Sequence, residues 1–299
     1  MEHPSMEHSS IVSFESQGVS YYGAPEPADV EFMIPVYNEK SCLHNAVESL
    51  HEYLAERHNT TFSWRIVVID NASTDSTWNI ATELTAQHPQ SIRAMHLQRK
   101  GRGLALKTAW MSSSAEVVTY MDADLSTSLE HIDDLVLPLL HHEADLAIGS
   151  RLMKESKTVR SFLRDIISRC YNFLLRSYSG ANFSDAQCGF KAVRADVFRA
   201  LAPSIQDNEW FFDTELLLLA QNRGLRLNQI HVYWVEDPNS SVHIIDTARK
   251  DIQGMIRMRS RYGRGTIGAL QKRAVRMESL RAPVFRGSLV PVRLLVPAV

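Results

Sequence analysis

The first half of the chain alternates short apolar runs with amphipathic helical stretches, and this alternation narrows the fold more than any other feature. Phe32-Met33-Ile34 ends at Pro35, after which Leu43, Ala46, Val47, Leu50, Tyr53 and Leu54 recur at the spacing of one helix face. Ile66-Val67-Val68-Ile69 follows, then the turn NASTDST and a helix through Trp78, Ile80 and Leu84. A strand over 92–97, a glycine-rich turn, a helix over 104–111, a strand over 117–121 and a helix over 129–140 continue the pattern. Leu146-Ala147-Ile148 then runs into Gly149-Ser150-Arg151. Strands alternating with helices imply βαβ units, and so a mostly parallel central sheet flanked by helices. Polar residues gather where these strands end: Pro35, Tyr37 and Glu39; Asp70 and Asn71; Asp122 and Asp124; Arg151. In open α/β sheets ligands bind in the crevice at those ends.

The second half is less regular. A helix is expected over 159–178, with Phe162, Leu163, Ile166, Ile167, Cys170, Phe173 and Leu174 as its apolar side and Arg160, Arg164, Arg169 and Arg176 as its basic residues. DAQCGFKAVR, residues 185–194, reads as a turn into a strand. A helix over 210–221, a strand over 232–235 and a last amphipathic helix over 244–259 complete the pattern. The organisation expected is an acidic, mobile tail over 1–27, one catalytic domain over 28–262, and a basic tail over 263–299.

Charge is balanced overall, at −2, but not along the chain. Residues 1–39 hold no Lys or Arg, whereas beyond Asp251 the only acid is Glu278, against Arg257, Arg259, Arg261 and seven further basic residues. The acidic start argues against a secretory signal, which needs a basic n-region. No window approaches the ~18 apolar residues of a spanning helix. Cys42, Cys170 and Cys188 fit neither a zinc site nor a disulfide framework, and a reducing cytoplasm is the simple reading. The twelve histidines show no ligand spacing. Nucleic acid is not expected as a partner, and the oligomeric state is left open.

Asp122 and Asp124 stand one residue apart after a hydrophobic strand, with no Lys or Arg close in sequence. Such a pair on a turn suits a hard divalent ion, Mg²⁺ or Mn²⁺, which takes one or two carboxylates and completes its shell with water and substrate phosphate. A solvated turn is the alternative for the triplet taken alone.

MIPVYNE, VVIDNASTDST, KGRGLALKTAW, YMDADLST, IGSR, DAQCGFK and FFDTELL occur in one order along residues 33–217. This series resembles the family 2 glycosyltransferases of GT-A fold, and within them the dolichyl- and polyprenyl-phosphate glucosyl- and mannosyltransferases. The resemblance implies a metal-dependent, inverting transfer of glucose or mannose from UDP-glucose or GDP-mannose to a polyprenyl phosphate. It assigns Pro35, Tyr37, Glu39, Ile69, Asp70 and Asn71 to the nucleoside. Asp122 and Asp124, with Ala123 between them, go to metal and diphosphate, Ser126 is a further possible ligand, and Arg151 goes to the phosphates. Arg164 and Ser168, four apart on one helix face, are assigned with Asp185, Gln187 and Lys191 to the acceptor phosphate. Asp213 and Glu215 stand where other family 2 enzymes keep a general base. Relatives carry a Lys where Ser241 stands; either Arg102, Lys107 or Lys191 compensates, or donor affinity is poor. KGRG reads either as a phosphate loop or as a helix-start turn. A polyprenyl acceptor implies a peripheral place on the cytoplasmic membrane face, held through the basic tail. Two other readings stay open: a family 2 enzyme acting on a soluble hydroxyl, and a catalytically silent nucleotide-binding paralogue.

Overall fold

The computed structural model describes residues 13–16, 19–23, 27–58, 61–236 and 244–263. The strands are β1 (Ser13–Ser16), β2 (Val19–Tyr22), β3 (Val30–Val36), β4 (Trp64–Asn71), β5 (Ile92–Leu97), β6 (Val117–Met121), β7 (Leu146–Ser150), β8 (Lys157–Val159), β9 (Phe190–Arg194), β10 (Leu227–His231) and β11 (Tyr233–Val235). The α-helices are α1 (Leu43–His58), α2 (Thr77–Gln87), α3 (Arg102–Ser112), α4 (Ile132–Leu140), α5 (Phe162–Ser179), α6 (Ala195–Leu201), α7 (Phe212–Asn222) and α8 (Ile244–Tyr262).

Nine strands form one sheet in the order β1-β2-β5-β4-β3-β6-β9-β7-β10, and β11 pairs with β8 beside it. The pairs β5-β4, β4-β3, β3-β6 and β7-β10 are parallel. Strand β9 lies antiparallel between β6 and β7, and β2 is antiparallel to both its neighbours. Seven strands therefore run one way and two run back. Because β9 is reversed, its first residues reach the edge where β3, β4, β6 and β7 end: Phe190 pairs with Met121. The segment 185–189 thus meets the Asp122 turn across nearly seventy residues of sequence.

Alternation along the strands divides the core. Phe32, Ile34, Ile66, Val68, Val117 and Met121 face the layer containing α1, α2 and α4. Met33, Val67, Ile69, Val118 and Tyr120 face the layer of α3, α6 and α7. Burial on both faces explains why these strands read as near-continuous apolar runs. Trp110 on α3 is fully buried, meets the Phe198 ring edge-on at 4.8 Å, and donates its indole N–H to the Thr119 carbonyl at 3.3 Å.

Several expectations change. Strands β1 and β2 lie inside the span read as a mobile tail. They lack a long alternating run because each is only four residues long. Strands β8 and β10 and helix α6 went unread for the same reason of brevity. The helix expected from residue 159 begins at Phe162, residues 157–159 being strand. Its apolar side faces outward: Phe162, Leu163, Ile166, Phe173 and Leu174 are exposed, while Asn172 and Leu175 are buried. The buried side is fixed by hydrogen bonds, since the Asn172 amide donates to the Ser168 carbonyl and accepts the Ala186 N–H. Most of the basic tail, from residue 264, and Ser241 lie outside the described residues. Trp110→Ala is expected to cost about 3–5 kcal/mol, the range for emptying a large aromatic site, read as a lower midpoint in urea unfolding.

Candidate active site

Three neighbouring strands end in strained turns. Among the described residues four non-glycine positions take positive φ, and Asn38, Ala72 and Leu125 each follow the C-terminal end of β3, β4 or β6. Such backbone costs on the order of 1–3 kcal/mol per residue and clusters at functional sites. The turns are braced by side chains. Asn38 Oδ1 accepts the Thr74 N–H at 2.8 Å, and Ser73 Oγ accepts the Asn38 N–H at 2.9 Å. Asp70, fully buried, accepts the Ser73 N–H and sits 2.6 Å from His96 Nδ1.

Asn71 Oδ1 accepts the Gly101 N–H at 2.8 Å, and the Asn208 carbonyl accepts the Leu104 N–H at 3.0 Å. The Gly101 amide is thereby committed, and KGRG forms the turn that starts α3. Gly103 is needed for packing: a Cβ there would lie 2.6 Å from Phe212 Cβ and 2.8 Å from the Glu209 carbonyl. Lys100 Nζ stands 3.3 Å above the centre of the Tyr37 ring, which joins this turn to the end of β3 by a cation–π contact. Half-buried Glu39 accepts the Cys42 thiol at 3.2 Å.

The centre of the site is a charge network. Arg102, first residue of α3, donates to Asp213 at 2.7 Å and to Asp122 at 2.8 Å, under the rings of Tyr120 and Trp210. Asp213 also accepts the Tyr120 hydroxyl at 2.5 Å and lies 3.2 Å from Lys191 Nζ. Lys191, fully buried, donates to the Tyr120 oxygen at 3.0 Å and to the Cys188 carbonyl at 2.5 Å. Burial alone would push the Asp213 carboxyl up, but Lys191, Arg102 and the Tyr120 hydroxyl together hold it below the usual carboxylate range. A carboxylate so held is a poor proton acceptor. Burial and the Asp213 charge push the Tyr120 phenol well up, and it stays neutral.

Asp122 and Asp124 line a hollow at the end of β6 with Leu125, Ser126, Thr127, Gly189 and Trp234. Ala123, between the two acids, is buried among the core residues. The Asp122 side chain is 44% exposed, and Asp124 Oδ1 accepts the Ser126 N–H at 2.9 Å. Ser126 Oγ is buried with no hydrogen-bond partner. Two solvent-facing carboxylates and an unsatisfied buried hydroxyl fit a hard divalent cation. Gly189 makes the hollow possible, since a Cβ there would sit 1.7 Å from Asp122 Oδ2.

Arg151 grips Asp185 through two guanidinium bonds of 2.7 and 3.0 Å, and its backbone N–H adds a third at 3.1 Å. Burial opposes the Asp185 charge, yet Arg151 outweighs it and lowers the pKa to about 2. The Arg151 guanidinium lies over the Trp234 ring, which itself borders the Asp124 hollow. Beside it, burial pushes the Cys188 thiol up to about 12, so that sulfur is no nucleophile.

Other expected residues go elsewhere. Lys107 donates to the Ile205 carbonyl at 2.9 Å. Arg164 pairs with Glu236 at 2.8 Å, whereas Ser168 accepts from Arg160, whose side chain is 3% exposed. Gln187 donates at 2.8 Å to Asp251 on α8. Burial, with Asp207 and Asp213 nearby, raises the Asp251 pKa to about 7. The roles of Tyr120, Trp210, Trp234, Arg160 and Gly189 were missed in the sequence. Only the last carried a signal there, as an isolated glycine before a strand.

A sheet of this order, with carboxylates on the turn after β6, is that of a GT-A fold glycosyltransferase. Glucosyl-3-phosphoglycerate synthase of Mycobacterium tuberculosis, solved with UDP, superposes with a TM-score of 0.57 at 19% identity, covering 77% of this chain and 80% of that one. The family model "Glycosyl transferase family 2" matches residues 31–202, and the chain belongs to that family. It is 35% identical over 228 residues to glycosyltransferase AglD of Haloferax volcanii, covering 76% of this chain but only 36% of that protein's length. It is 28% identical over 240 residues to a dolichyl-phosphate beta-glucosyltransferase of Dictyostelium discoideum, covering 77% and 73% of the two chains. The human protein of that description matches at 28% over 221 residues, covering 70% and 68%.

Gly189→Ala is expected to fold and to lose most divalent-cation binding, because the added methyl displaces Asp122; titration calorimetry reads this directly. Asp251 adds a pH dependence. Its folded pKa lies above the unfolded value, so its stabilising contribution is complete below pH ~4 and is lost as pH rises through about 7. Asp251→Asn should therefore raise the melting temperature at pH 8 relative to the parent, with the gain shrinking toward pH 5.

Proposed function

We propose that the chain transfers a hexose, glucose before mannose, from a nucleotide diphosphate sugar to the phosphate of a polyprenyl lipid, with inversion at C1. The observation that carries this reading is the state of Asp213. A sugar hydroxyl needs a general base, and Asp213 is saturated by Arg102, Lys191 and Tyr120. A lipid monophosphate carries its own negative charge near pH 7, its second pKa being about 6, and needs aiming and charge screening instead. The names of the relatives, dolichyl-phosphate beta-glucosyltransferases, support the same acceptor.

In this reading Pro35, Tyr37, Glu39, Ile69, Asp70 and Asn71 form the nucleoside end of the site, with UDP-glucose the donor expected first. Asp122, Asp124 and Ser126 would hold Mg²⁺ or Mn²⁺, which neutralises charge gathering on the leaving diphosphate. Mn²⁺ accompanies UDP-glucose and phosphoglyceric acid in the solved glucosyl-3-phosphoglycerate synthase. Arg102, shared between Asp122 and Asp213, can turn toward the diphosphate without leaving Asp213. An acceptor phosphate oxygen forms the new bond to C1 as the bond from C1 to the diphosphate oxygen breaks. Arg151, Arg160 and Lys191 supply positive charge on the acceptor side, with Asp185 and Gln187 holding the 185–189 turn; Arg164 and Ser168 line the approach along α5.

The exposed apolar side of α5 suits a lipid acceptor. Phe162, Leu163, Ile166, Phe173 and Leu174 lie outward beside exposed Arg169 and Arg176, and Ile252 and Ile256 are exposed on neighbouring α8. An apolar stripe with basic flanks partitions into an anionic membrane surface. No helix among the described residues is long and apolar enough to cross a membrane. A peripheral position on the cytoplasmic face follows from this reading.

The test is to incubate the protein with labelled UDP-glucose or GDP-mannose, Mg²⁺ or Mn²⁺ and polyprenyl phosphate, and to extract the lipid. Label in the organic phase, lost in Asp122→Asn, is expected. Label only in a water-soluble product, or no turnover at all, would overturn the lipid acceptor. Phe162→Glu with Phe173→Glu should weaken binding to anionic vesicles at least ~10-fold while sparing transfer to a short, water-soluble prenyl phosphate.

A further inference from the structure

On the far side of the molecule, helix α1 carries Glu48 and His51, three residues apart and so on one face. His88 caps the C-terminal end of α2 and meets them there. His88 Nε2 lies 3.1 Å from Glu48 Oε1, and the rings of His51 and His88 are 4.1 Å apart. Among the described residues this is the one group of three or more His, Cys, Asp or Glu whose ligand atoms all fall within 4.8 Å of one another. Forty residues separate Glu48 from His88, which is why no ligand spacing is visible in the sequence.

We propose that Glu48, His51 and His88 form a binding site for a first-row divalent cation of the zinc type, separate from the Asp122–Asp124 seat. The donor set selects the ion. Two imidazoles and one carboxylate are a known zinc set, whereas Mg²⁺ prefers oxygen ligands. Two ligands on a tetrahedral zinc, with bonds of about 2.0–2.1 Å, lie roughly 3.3 Å apart, close to the Glu48–His88 separation. All three residues are half-buried, so an ion can enter from solvent and keep water as a fourth ligand.

The ligands are held in advance. Neighbouring Val47 and Leu50 are fully buried, which fixes the face of α1. The His88 carbonyl accepts the N–H groups of both Ser91 and Ile92, which fixes the turn. Ser91 Oγ lies 2.9 Å from His51 Nε2, and the Trp64 ring packs edge-on against His51 at 5.5 Å. An outer hydrogen bond of this kind orients a ligating imidazole. As a bare half-exposed ion pair, Glu48–His88 contributes little. With an ion it becomes a clip between α1 and α2, the two helices whose other ends meet at the site, where the Glu39 N–H donates to Thr77 Oγ1.

The test uses the full chain, stripped with a chelator, in an Asp122→Ala, Asp124→Ala background so that the active-site seat cannot hold the ion. Zn²⁺ titrated by calorimetry is expected to bind at one ion per chain and to raise the melting temperature, while Mg²⁺ does neither. His51→Gln and His88→Gln, which keep a hydrogen-bonding side chain, should each weaken Zn²⁺ at least ~10-fold. Co²⁺ in the chain with all three ligands should give the intense visible absorption of a four-coordinate ion, a readout that needs no variant to fold. Equal zinc affinity in both Gln variants, a weak six-coordinate Co²⁺ spectrum, or no zinc binding at micromolar concentration would each overturn the proposal.

Discussion

The active edge depends on one buried ion pair, Arg102 with Asp213. Asp213 lies on α7 and Arg102 at the start of α3, and each offsets the cost of burying the other's charge. Their contact fixes the first turn of α3 against the segment before α7, which Gly103 permits by having no Cβ. The same guanidinium reaches Asp122, so that solvent-facing carboxylate is aimed by a residue anchored in the core. Lys191 and Tyr120 close the remaining valences of Asp213, and through Lys191 the start of β9 joins the network. Two acids and two bases balance, and no member is left bare.

This balance makes Asp213 an anchor for cations. Positive charge is thereby stored beside a place where a diphosphate would develop negative charge, and it costs no reorganisation when the reaction occurs. Arg151 and Asp185 repeat the device a few residues away. Both pairs are polar islands inside an apolar sheet, and each carries a ring above its guanidinium: Tyr120 and Trp210 in one case, Trp234 in the other.

Much of this was legible in the sequence and some could not be. The central strands were visible because burial on both faces leaves an unbroken apolar run, as in Ile66-Val67-Val68-Ile69. Helices α1 to α4 were visible through their periodicity. Short edge elements such as β1, β2 and β8 carry too few residues to show a period. Periodicity marked the apolar side of α5 without saying what covers it; that side is exposed, and Asn172 and Leu175 do the packing. Asp122 and Asp124 could be found from their spacing. The bond from Asp122 to Arg102 could not, since it joins the turn after β6 to the start of α3 and depends on how the two pack. The same limit hid the Glu48, His51 and His88 cluster.

The reversed strand β9 has a consequence for how the molecule comes into being. Strands β6 and β7 are neighbours in sequence but not in the sheet, and the gap between them is filled by a strand made some forty residues after β7. Until then both present open edges, which are templates for unwanted pairing. Long-range insertion of this kind is slow. The Asp122 turn also lacks its wall until Gly189 arrives. A growing chain therefore cannot assemble the Asp122–Asp124 hollow before its sheet is sealed, and the two events are the same event.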